Sequence, residues 1–97
     1  MRQKFREPLA VPTIHINGTA RDDLLDAIRE AARALREAEH AVGKCAPHGR
    51  DYYPKGSASL TIALHQHSER VRKLREIARD LEEIGEHIVD AEVALKR

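Results

Sequence analysis

Apolar residues recur along this chain at alternating intervals of four and three, and they do so twice. Leu24, Ile28, Ala31, Leu35, Ala38 and Val42 form one series, and Leu60, Leu64, His67, Val71, Leu74, Ala78 and Leu81 form another. At ~3.6 residues per turn that spacing lays each series along one face of a helix. A helix with a single apolar stripe has to bury it against another element. Gly43 ends the first series where a left-handed residue ordinarily stops a helix, and Ser57 or Ser59 offers a start for the second. The pattern predicts an all-α fold: an antiparallel helical hairpin with one helix over 20–42, a loop over 43–56 and a long helix over 58–96.

Residues 1–18 read as an arm, because Pro8 and Pro12 oppose regular structure there. Within it Thr13-Ile14-His15-Ile16 alternates polar with apolar and suits a short extended strand. Asn17-Gly18 supplies a turn, and Thr19 with Asp22 resembles a capping box that starts the first helix near Ala20. With 97 residues the chain makes one domain around one core. The apolar content is Leu, Ile, Val and Ala, since Phe5, Tyr52 and Tyr53 are the only aromatic residues. Cys45 is the single cysteine, which excludes an internal disulfide, and no early apolar run is long enough for a signal peptide or a membrane helix. The expectation is a cytoplasmic protein with no membrane association.

If the two helix ends at the loop are level, Val42 stands opposite Leu60 and paired residue numbers sum to about 102. Ala31 then faces Val71, Ile28 faces Leu74 and Leu24 faces Ala78, while Arg33 meets Glu69, Glu30 meets Arg72 and His67 faces Leu35. The first helix is ~35 Å long and the second ~57 Å, so the last ~15 residues overhang. That overhang still carries apolar side chains. Ile84, Gly85, Ile88, Val89 and Leu95 are therefore expected at an interface between subunits of a homo-oligomeric bundle, with Gly85 marking a close backbone approach.

The connection holds most of the unusual chemistry. Fourteen residues, Gly43 to Gly56, exceed the roughly two to eight that join helices in bundles. Both tyrosines of the protein lie in it. Arg50 offers a planar fork for phosphate or carboxylate, Lys55 a point charge, and Tyr52 or Tyr53 a stacking face, with His48 and Asp51 beside them. These six residues are the candidate ligand-binding set. The alternative is a tip in which a tyrosine caps the core and Arg50 and Asp51 bond the loop backbone, the one to carbonyls and the other to N–H groups.

Other chemistries find less support. Cys45 has His40 and His48 as neighbours in sequence, too little for a nucleophile, and His65 and His67 point about 200° apart on a helix, so neither a catalytic set, a metal site nor a cofactor is indicated. Lys44 to Arg79 carries eight basic and three acidic residues, whereas Asp80 to Arg97 carries six acidic and two basic. The net charge is only +1, and the arginines of the second helix are interleaved with Glu69 and Glu76, which argues against duplex nucleic acid as a partner.

The run Thr13-Ile14-His15-Ile16-Asn17-Gly18-Thr19, the Ala- and Arg-rich helix after it, and above all Gly49-Arg50-Asp51-Tyr52-Tyr53-Pro54 resemble small helical proteins encoded by tailed phages and prophages. The similarity covers roughly residues 11 to 90. It implies phage origin, hence a host cytoplasmic location, and no enzyme activity. By likeness of size and helical build to phage proteins that sequester immune signals, the expected function is non-enzymatic capture of a phosphate-containing nucleotide, such as a cyclic nucleotide or an ADP-ribose derivative. The alternative is a protein-interaction or structural module that docks on a host or virion protein.

Overall fold

The computed structural model describes residues 7–13 and 18–95. Helix α1 runs Gly18–Gly43, a four-residue helix α2 runs Gly49–Tyr52, a 3₁₀ turn follows at Tyr53–Lys55, and α3 runs Ser57–Leu95. Among the described residues there is no strand. Most of the expected strand, Ile14 to Ile16, lies outside them, as does the side chain of Thr19, and α1 begins at Gly18, ahead of the expected Ala20.

Helices α1 and α3 pack as the antiparallel hairpin that the two stripes require, but in another register. Arg36 forks onto Glu82, with Nε 2.9 Å from Oε2 and Nη2 2.8 Å from Oε1, while Arg75 Nε donates to Glu39 Oε2 at 2.6 Å. Arg36 Nη1 also reaches Glu39 Oε1 at 3.0 Å, joining the four charges into one ladder across the two helices. Leu25 and Ile28 sit over Gly85. Paired residue numbers thus sum to between 110 and 118, not about 102. Relative to the level-ended hairpin, α3 has slid by about three turns.

The slide overturns the expected overhang. The C-terminal half of α3 lies along α1, and Ile88 and Gly85, expected at a subunit interface, are buried within this one chain. Ile84 and Val89 are half-buried, and the side chain of Leu95 lies outside the described part. The expected Arg33–Glu69 and Glu30–Arg72 pairs are absent among the described residues. Glu69 instead accepts from Arg72 on its own helix at 2.7 Å, and Arg72 also reaches Glu76. His67, one turn before Val71, falls level with the loop and not with Leu35, since Val71 stands beside Gly43 and Lys44 at the end of α1. The unmatched stretch is the other end of α3, from Ser57 to about His67.

Within the chain the core is slight. Among the described residues the buried apolar ones are Leu25, Ala32, Ala63, Ala78 and Ile88. Three of the five are alanines, so the large contributions, roughly 1.5–3 kcal/mol each, come from Leu25 and Ile88. Small residues at the seam leave room for larger neighbours. Gly85 illustrates it: a Cβ there would stand 3.7 Å from Leu25 Cδ1 and 3.8 Å from Ile28 Cγ2, which is ordinary contact.

Gly85→Ala should therefore raise stability by about 0.5–1 kcal/mol in thermal or urea denaturation, because it gains helix propensity without a clash. A loss of stability would show that the seam has no room for a methyl. The ion-pair ladder makes a second expectation. Hydrogen bonding to Arg75 holds the Glu39 carboxyl below the ordinary glutamate range, hydrogen bonding to Arg36 does so for Glu82, and hydrogen bonding to Arg72 does so for Glu69. Depressed folded-state values stabilise above the ordinary glutamate pKa, and that stabilisation is lost as pH falls through them. Melting temperature should drop between about pH 6 and about pH 3, and the drop should shrink in salt of about 0.5 M. A melting temperature flat over that range would remove the ladder from any part in stability.

Candidate functional site

The loop is a built structure. Lys44 N–H donates to Ala41 O at 3.1 Å and Cys45 N–H to Val42 O at 2.9 Å, so α1 unwinds through a tight turn. His48 then caps α2: its Nδ1 accepts from Arg50 N–H at 3.1 Å while its carbonyl accepts from Asp51 N–H at 2.9 Å. Pro54 supplies the fixed φ that a 3₁₀ turn takes at its start. Gly56 closes the turn with its N–H on Tyr53 O at 3.2 Å, at φ 93° and ψ 166°, a region that side chains exclude. Behind it, Thr61 Oγ1 donates to Ser57 O at 3.2 Å inside the first turn of α3.

This path explains the length of the loop. It does not cap a level pair of helix ends. It climbs from the end of α1 alongside the unmatched turns of α3, with Gly49 packed over Leu60, whose Cδ2 would lie 3.7 Å from a Cβ at that glycine. The result is a recess of about 480 Å³ walled by Gly49, Tyr52, Tyr53, Gly56, Ser57 and Leu60.

Of the six candidate residues, the structure brings two to this recess, Tyr52 and Tyr53. Tyr52 is half-buried and Tyr53 is 85% exposed. His48, Arg50, Asp51 and Lys55 are exposed and stand outside its wall. Among the described residues none of Lys44, Arg50, Asp51 and Lys55 is held in an ion pair, so nothing fixes the cations toward the tyrosine rings. The ring nitrogen of His48 that accepts from Arg50 is committed to the cap.

Sequence reading passed over Ile62, which is off both stripes and 57% exposed on the unmatched part of α3; Leu64, assigned to the stripe, is 43% exposed on the same stretch. An isoleucine out of phase with its helix was the signal. A second recess, of about 620 Å³, lies at the loop root between Arg36, His40, Lys44, Val71 and Arg75. Among the described residues no three His, Cys, Asp or Glu side chains gather as a metal site. No helix there is long and apolar enough to cross a membrane.

No protein-family model matches this chain, and no characterised protein and no solved structure is significantly similar to it.

Because Gly56 occupies a glycine-only conformation, Gly56→Ala should cost about 1–3 kcal/mol and disturb the recess, although there is open space around the position. Gly43→Ala, also in open space and within α1, should be neutral or stabilising in the same denaturation experiment. Equal effects at the two sites would deny the strained turn.

Proposed function

We infer that the protein is a non-enzymatic helical interaction module that engages a partner protein, of host or virion origin, with its loop end. The observation that carries this reading is the composition of the recess wall: two tyrosines and Leu60 enclose it, and the cations of the loop do not. Such a wall suits an apolar side chain of a partner, with the tyrosine hydroxyls free to bond at the rim. Exposed Ile62 and Leu64 extend the apolar surface beyond the recess. A tyrosine-rich, partly pocketed patch is the composition from which binding hot spots are drawn.

Nucleotide sequestration, the other reading of the same loop, would need Arg50 and Lys55 to converge with a stacking ring around a phosphate. Their exposed positions outside the recess give that reading less support than the apolar wall gives a protein contact.

Two measurements separate the readings. Titration calorimetry with cyclic dinucleotides, cyclic oligoadenylates and cyclic ADP-ribose isomers should show nothing tighter than ~10 μM. Capture of one stoichiometric protein partner should weaken about tenfold or more in Tyr53→Ala and Ile62→Ser, both exposed and so harmless to the fold, and persist in Arg50→Ala. Tight nucleotide binding abolished by Arg50→Ala would replace the module by a sponge.

A further inference from the structure

The two long helices are apolar over a wider arc than their mutual contact uses. At ~100° per residue, the apolar positions of α1 sweep roughly 140°, from Leu25 and Ala32 at the seam through Leu24, Ile28 and Leu35 to Ala31 and Ala38. In α3 they sweep a similar arc, from Ala78 at the seam through Leu81 and Ile88 to Ile77 and Ile84. The mutual contact uses the Ala32 and Ala78 end of each arc, and the end at Ala31, Ala38, Ile77 and Ile84 is the surplus. Because the hairpin is antiparallel, both surplus arcs fall on the same side, opposite the Arg36–Glu82 and Arg75–Glu39 ladder. That side is incompletely covered: Leu24 is 40% exposed, Ile77 is 48% exposed, Ala31 is exposed, and Leu35, Ala38 and Ile84 are half-buried.

We propose that a second copy of this chain covers this face, the two hairpins stacking about a two-fold axis parallel to the helices into an antiparallel four-helix bundle. Size complementarity points to a like chain. The observed register puts Ile84 level with Ala31, Ile77 level with Ala38 and Leu24 level with Ala91. An axis along the helices lays α1 of one copy on α3 of the other at those same levels, so Ile84, Ile77 and Leu24 each meet an alanine of the partner copy. An axis across the helices would set α1 on α1 and α3 on α3, alanine against alanine and isoleucine against isoleucine, which packs poorly. This interface is distinct from the tip, and neither proposal depends on the other.

Sedimentation equilibrium should return twice the chain mass at micromolar concentration. Ile77→Lys, at a position exposed in the single chain, should return the chain mass or an unfolded monomer. The arrangement is read independently by disulfide trapping in a Cys45→Ser background. Mixed Ala38→Cys and Ile77→Cys chains should cross-link to each other under mild oxidation, at least tenfold faster than either variant does with itself. A wild-type chain that is monomeric at ~100 μM would overturn the proposal, whether the arm or a different protein then covers the face. A dimer that traps 38 with 38 or 77 with 77 would overturn the axis and, with it, the large-on-small pairing.

Discussion

A hairpin of two helices with repeating apolar stripes has several registers of nearly equal hydrophobic merit, and everything else in this molecule depends on which one is taken. Sliding α3 by two turns replaces one apolar row with another of the same spacing. Charges do not repeat in that way. The fork of Arg36 on Glu82 and the bond from Arg75 to Glu39 are satisfied together in one alignment, and the same alignment brings Gly85 beneath Leu25 and Ile28. Exposed ion pairs contribute little to absolute stability. Between registers otherwise close in energy, a small difference suffices to choose.

This is also where the sequence was legible and where it was not. Periodicity, the stop at Gly43 and the start at Ser57 are local signals, and they locate α1 and α3, although Gly43 is the last helical residue and does not take the left-handed conformation expected of it. Register is a comparison between distant segments, and the favourable Arg33–Glu69 and Glu30–Arg72 alignment suggested by level ends was as plausible on paper as the observed one. The length of the connection held the missing information. A loop of fourteen residues is long enough to climb several helical turns, so the surplus beyond a simple turn measures the slide. At the tip, the pair of tyrosines was readable as a feature, but their separation from Arg50 and Lys55 was not, because short turns at α2 and Tyr53–Lys55 decide on which side each residue emerges.

The observed register divides the surface into regions of different character. One face of the hairpin carries the charge ladder, the opposite face carries surplus leucine, isoleucine and alanine, and the loop end carries the tyrosine-walled recess. The proposed self-association and the proposed partner binding fall on different places and would not compete with each other. The seam itself is built mostly of alanine and glycine, and that thinness is consistent with a protomer whose hydrophobic layer is completed from outside.

The unmatched beginning of α3 has a consequence for motion. Among the described elements, the stretch of this helix from Ser57 to about His67 lies beside α2 and the Tyr53–Lys55 turn, whereas from Val71 onward it lies along α1. Its amides there depend on backbone bonds with few tertiary neighbours, so hydrogen exchange through local opening should proceed at lower free energy than in the segment around Ala78 and Ile88. The recess at Tyr52, Tyr53 and Leu60 is mounted on that looser unit. A partner seated in it would tighten both walls at once, turning a fraying helix end into an ordered one and transmitting its presence along α3 as a change in protection.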